Sequence, residues 1–173
     1  MDYQEILDRF KEVHVLDLFG TKKEVKELPL ILKDNETIMY ATSGMMDNNT
    51  WLIVCTDQRV LFLDKGMIFG LKQTEIPMEK VNSIAYKTGL MFGQIQIYHG
   101  SAQMKIESIS KKTVKPMVDA INREIEKLKQ PDKQEAATTL SPADEILKYK
   151  HLLDADAITQ EEFDAKKKQL LGL

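Results

Sequence analysis

From Glu36 to Glu107 the chain is a succession of short apolar or alternating runs separated by turn residues, and no other feature restricts the fold as much. Runs of this kind, bounded by Gly, Pro, Asn, Asp and Ser, are the signature of antiparallel β-structure. They predict strands at 36–43, 50–56, 59–64, 71–76, 81–87, 94–99 and 102–107. In the last two the alternation is clean. Ile95 and Ile97 face one way and Gln94, Gln96 and Tyr98 the other, and Ala102, Met104 and Ile106 repeat the pattern. A period of two places one face in a core and the other in water. Gly100-Ser101 between them supplies a tight hairpin turn. Trp51–Cys55 and Val60–Leu63 are instead continuously apolar and are joined by a tight turn over Thr56–Arg59. Ile76-Pro77 ends a strand where a missing N–H is tolerated.

Helical periodicity flanks this block. Tyr3, Ile6, Leu7, Phe10 and Val13 recur at the spacing of an amphipathic helix. A second short helix is predicted from Thr21, with Thr21 and Glu24 at capping-box spacing. Pro29 and Asp34-Asn35 close that region. After the strands, a helix is predicted at 113–129. Val114, Met117, Val118, Ile121, Ile125 and Leu128 line one face, and Pro116 falls in the first turn, where the lost N–H costs little. Residues 130–140 have no periodicity and few large apolar groups and read as a linker. Two further helix starts follow. Ser141-Pro142 is one, with Ile146, Leu147, Tyr149 and Leu153 on its apolar face. The other is the Thr159/Glu162 capping box, which opens a segment carrying Phe163, Leu170 and Leu171.

Few chemistries fit these residues. A net charge of −3 and a pI near 5.7 argue against nucleic acid as a partner, because phosphate binding needs a basic surface. His14, His99 and His151 lie far apart in the chain with no metal-ligand spacing around them, so no metal site is expected. No nucleophile elbow or phosphate-cradling loop is present. The single cysteine, Cys55, sits in an apolar strand and reads as a core residue. The chain therefore reads as non-enzymatic, with no catalytic residue and no cofactor. The acidic start Met1–Glu5 and the absence of a long apolar run predict neither a signal peptide nor a membrane span, and place the protein in the cytoplasm.

Short strands followed by one amphipathic helix resemble a pleckstrin-homology (PH) barrel. Leu52–Gly66, Ile76–Val81 and Gly89–Ile97 are similar to bacterial PH-like domains of the YokE-like type. Leu152-Leu153-Asp154-Ala155, Ile158–Phe163 and Lys166–Leu171 resemble the SHOCT (short C-terminal) domain. The resemblance implies an α+β fold: an antiparallel PH-like β-barrel of about seven strands capped by a C-terminal helix, with N-terminal helices and a separate C-terminal two-helix hairpin. The expected divisions are an N-terminal helical segment at 1–35, a barrel with its capping helix at 36–129, a linker at 130–140 and a hairpin at 141–173. Architecture and association follow from these families, not a reaction. Many eukaryotic PH domains hold inositol phosphates with basic residues on the first hairpin. Here Ser43–Thr50 carries none, so no phosphoinositide is expected.

Two groups of residues remain as candidate contacts. Gly66-Met67-Ile68-Phe69-Gly70 and Gly89-Leu90-Met91-Phe92-Gly93 are apolar pentapeptide loops where polar residues are usual, and the Met45-Met46 pair on the first hairpin adds to them. Three readings stay open: core packed over a barrel end, a protein interface, or a membrane contact assisted by Lys65, Lys72 and Lys87. In the tail, Ile146, Leu153, Phe163 and Leu170 are too few to offset the backbone entropy of ordering a hairpin alone, so a partner surface is implied. Seven acidic against five basic side chains in 141–173 make Lys166–Lys168 a solvated helix face. The expected function is association with itself or with a protein partner, and a homo-oligomer is expected. The alternative is peripheral membrane binding through the loop tips.

Overall fold

The computed structural model describes residues 1–15, 18–66, 70–129, 146, 149, 150, 153 and 159–171. The described residues contain seven strands: β1 (Ile38–Met46), β2 (Asn49–Thr56), β3 (Arg59–Lys65), β4 (Leu71–Pro77), β5 (Val81–Thr88), β6 (Phe92–His99) and β7 (Ala102–Ser110). They form one antiparallel sheet in the order β4-β3-β2-β1-β7-β6-β5. A single Cα pair, Met45 with Glu107, joins β1 to β7. Around this seam the two halves enclose one core, to which Ile53 and Phe62 contribute from one half and Ile95 and Ile106 from the other.

The turns follow from the residues at them. Asp47 and Asn48 both adopt left-handed φ, 49° and 62°, between the paired Met46 and Asn49. This is the backbone that a two-residue hairpin requires and that Asp and Asn tolerate. Gly100, at φ 53°, turns β6 into β7, as the sequence predicts. At the seam Gly44 leaves no room for a side chain. A Cβ there would lie 2.4 Å from Ile106 Cγ2 and 2.9 Å from Ile109 Cγ1.

Helix α4 (Lys111–Lys129) covers the inner face. Val114, Met117, Val118, Ile121 and Ile125 are buried, as the periodicity predicts, but Leu128 is half exposed near the helix end. The helix begins two residues before the predicted Thr113. Pro116 consequently lies in its second turn, not its first. Thr113 is buried and shares a 2.7 Å hydrogen bond with Thr42, tying the helix to β1.

The outer face of β1–β3 is covered as well. α1 (Tyr3–Glu12), α2 (Lys22–Val25) and α3 (Leu28–Ile31) place Ile6, Phe10, Val25 and Leu28 against Leu52, Val54, Leu61 and Leu63. This is why β2 and β3 are continuously apolar: both of their faces are buried. Asp2 and Glu5 form a reciprocal capping box at the start of α1. Tyr3, predicted on the apolar stripe, remains 40 % exposed. The Thr21/Glu24 capping box does not form. Thr21 Oγ1 bonds instead to Ser43 Oγ at 2.7 Å, and buried Glu24 accepts the Lys65 N–H at 2.8 Å. Both side chains are drawn from their own helix to the strands beneath it.

Met1–Lys129 forms one compact unit and Gln130–Leu173 another. In the second, α5 (Gln160–Leu171) opens with the predicted reciprocal pair. The Thr159 N–H reaches Glu162 Oε2 at 2.9 Å, and the Glu162 N–H reaches Thr159 Oγ1 at 3.3 Å. Ile146, Tyr149 and Leu153 occupy helical positions. The Ser141-Pro142 start, Leu147 and the linker lie outside the described residues.

Candidate functional site

One loop tip is solvent-facing. Leu90 is 90 % exposed, Met91 69 % and Phe92 55 %, which removes the core reading for this loop. Hydrogen bonds fix its shape: the Gly89 N–H donates to Phe92 O at 2.7 Å, and the Lys111 N–H donates to Met91 O at 3.0 Å. Beside the tip, Phe92 walls an apolar groove of about 400 Å³ with Phe19, Met45 and Gly44. Ser43, Thr50, Ser108 and Ser110 line its remainder. Sequence reasoning missed Phe19, which is 84 % exposed. Its only signal was an aromatic beside Gly20, outside any periodic apolar face. The other apolar loop, Met67, Ile68 and Phe69, lies outside the described residues.

The lysines divide into two sets. Lys65 pairs with Glu27, and Lys72 lies 3.6 Å from Asp64, so both have carboxylate partners. Lys87 and Lys111 border the tip and Lys112 follows Lys111 in α4; all three are exposed and take part in no ion pair among the described residues. Glu107 borders the tip, and Lys105 neutralises it at 2.5 Å.

A second polar cluster is buried and structural. Arg59 grips Glu36 through two bonds, Nε to Oε1 at 2.8 Å and Nη2 to Oε2 at 2.7 Å. Nη2 also reaches Ile31 O at 2.9 Å, and Nη1 pairs with Glu75. The Thr56 hydroxyl donates to Glu36 Oε1 and accepts the Arg59 N–H, which explains the Thr56–Arg59 turn. Burial pushes the Glu36 carboxyl up, but Arg59, the Lys33 N–H and Thr56 together hold it below the ordinary glutamate range. Such a bidentate pair locks a guanidinium in place. Arg59 and Glu36 are 4 % and 3 % exposed, so the cluster faces no ligand.

Cys55 is fully buried, and burial, reinforced by Glu124, drives its thiol far above the ordinary range. A thiol so placed is a poor nucleophile. Among the described residues no His, Cys, Asp and Glu cluster suited to a metal ion occurs, and no helix is long and apolar enough to cross a membrane.

The family model described as a bacterial PH domain matches residues 32–123. The chain belongs to the bacterial PH domain family. A second model, the short C-terminal (SHOCT) domain, matches residues 144–171. No curated protein matches this chain. Among solved structures, this bacterial PH protein is similar to a pleckstrin homology domain from Shewanella amazonensis SB2B, at 20 % identity and a TM-score of 0.45 over 61 % of this chain and 98 % of that one. It is also similar to a DUF1696 family protein with a pleckstrin-homology domain from Shewanella loihica PV-4, at 17 % identity and a TM-score of 0.46 over 61 % and 93 %. A third is the hSac2 domain of the human phosphoinositide phosphatase Sac2, at 10 % identity and a TM-score of 0.44 over 74 % and 85 %.

Of the tail candidates, Phe163 is 9 % exposed, Ile146 and Leu153 are half-buried, and Leu170 lies within α5. Lys166 sits 5.9 Å from the centroid of the Tyr149 ring, within cation–π range. That contact gives the first lysine of the Lys166–Lys168 run a local partner.

Proposed function

We propose that this bacterial PH protein is a non-catalytic association module whose SHOCT tail mediates contact with a second copy of the chain. The observation that supports the reading is the incomplete burial of the tail's apolar residues. Phe163 is covered, while Ile146 and Leu153 remain half-buried in a unit that spans only Gln130–Leu173. Small units of this kind rarely hold a sufficient core, and association is one of the ordinary remedies. α5 points the same way, because apart from Phe163 and the half-buried Lys166 the side chains of 160–169 are exposed. Phe163 already packs this polar helix into its own unit, so the apolar surface left for a second copy is that of the half-buried Ile146 and Leu153, and losing the Phe163 ring would disturb the unit that presents them.

Size-exclusion chromatography with light scattering tests this on the full chain, a truncation after Lys129 and Phe163→Ala. The full chain is expected above monomer mass. Phe163→Ala weakens association by about 30- to 1000-fold, equivalent to roughly 2–4 kcal/mol. Equal masses for all three across the accessible concentrations defeat self-association through the tail.

A further inference from the structure

We propose that the β5–β6 tip docks the protein on an anionic lipid bilayer, with Leu90 and Met91 entering the apolar layer and Lys87, Lys111 and Lys112 meeting the lipid phosphates. Three observations converge. The tip is apolar and open to solvent: Leu90 and Met91 are 90 % and 69 % exposed although the turn itself is pinned by two backbone hydrogen bonds. Neither side chain belongs to the inner core. The second observation is the charge around it. On a chain of net charge −3, the three lysines flanking the tip have no carboxylate partner among the described residues, while the adjacent Glu107 is already neutralised by Lys105. That local reversal of sign complements an anionic surface and opposes a second copy, whose own lysine rim would meet this one in a symmetric contact.

The third observation is the groove beside Phe92. It is apolar, open at the same end and about 400 Å³ in volume, enough to shelter a short stretch of acyl chain displaced by the tip. Apolar insertion supplies attachment and the lysines supply selectivity. Each basic group near an anionic surface contributes a factor of about five. This contact involves the barrel alone and is independent of tail-mediated association.

Vesicle co-sedimentation of the full chain tests the proposal. The probes are phosphatidylcholine vesicles and the same vesicles with about 30 % phosphatidylglycerol. The expected result is binding to the anionic vesicles that weakens as salt rises, because screening shortens the reach of the lysines. Binding to neutral vesicles is expected to be slight. Lys87→Gln/Lys111→Gln/Lys112→Gln lowers the partition coefficient on the order of 100-fold. Leu90→Ser/Met91→Ser removes sedimentation. Both variants touch only exposed side chains, so circular dichroism and melting should match the parent. The proposal is overturned if the full chain stays in the supernatant with both vesicles at low salt, which is also the outcome if the tip serves a soluble acidic protein. Equal binding to both vesicles, or full binding by the serine variant, overturns it too.

Discussion

Replacing Glu36 with Gln keeps the shape of the side chain and removes the charge that Arg59 was built around. In the native protein Arg59 has two bonds to Glu36, one to Ile31 O and one to Glu75. The substitution leaves a guanidinium buried to 4 % exposure with one remaining carboxylate, Glu75, whose side chain is 39 % exposed and hence the weaker partner. Thr56 and the Lys33 N–H also lose a charged acceptor. Breaking a buried ion pair by removing one partner typically costs 3–5 kcal/mol. Because Glu75 and Ile31 O stay in place, the expected loss is near the lower end, about 3 kcal/mol. Urea unfolding followed by circular dichroism measures it as a drop in midpoint at unchanged slope. The pH dependence carries an independent signature. The folded-state pKa of Glu36 lies below its ordinary value of 4.5. The unfolded chain therefore takes up a proton first as pH falls, and the contribution of the pair, complete above pH 4.5, is lost as pH drops toward the folded pKa. Glu36→Gln should flatten that part of the stability curve. A loss under about 1 kcal/mol, or an unchanged acid slope, would refute the claim that this pair locks β3 to the start of β1.

Other expectations follow from single sites. Gly44→Ala forces a Cβ within 2.4 Å of Ile106 Cγ2 and is expected to cost about 1–3 kcal/mol by overpacking, visible as a lower melting temperature; an unchanged melt contradicts the close seam. Cys55 should resist a thiol reagent at pH 8 in the native state and react once urea unfolds the barrel, because burial raises its pKa and blocks access. Rapid labelling without denaturant would show that the core opens there.

Strands, turns and the capping helix were largely legible because each depends on neighbours in sequence. Alternation in Gln94–Tyr98, the Gly100-Ser101 turn and the periodic face of Val114–Ile125 need only local geometry. The same holds for the Thr159/Glu162 box, whose two bonds close within one turn of helix. The Thr21/Glu24 box had the same spacing and failed. Ser43 and the Lys65 N–H, remote in sequence, offered those side chains buried partners that a local rule cannot see.

The candidate site divides in the same way. The sequence by itself marked Leu90, Met91 and Phe92 as unusual for a loop, but apolar side chains between two glycines are equally suited to a core or a surface. Only the tertiary structure decided, because exposure depends on whether another element passes overhead, and at this tip none of the described elements does. Met45 was marked with the apolar loops, but that it shares one groove with Phe92 and with the unmarked Phe19, far apart in the chain, is a result of the tertiary fold. The continuous apolar runs of β2 and β3 declared that both faces would be buried. That α1, α2 and α3 supply the outer cover, and that Arg59 finds Glu36 across 23 residues, was settled by packing, since burial is a property of the whole fold and periodicity a property of one segment.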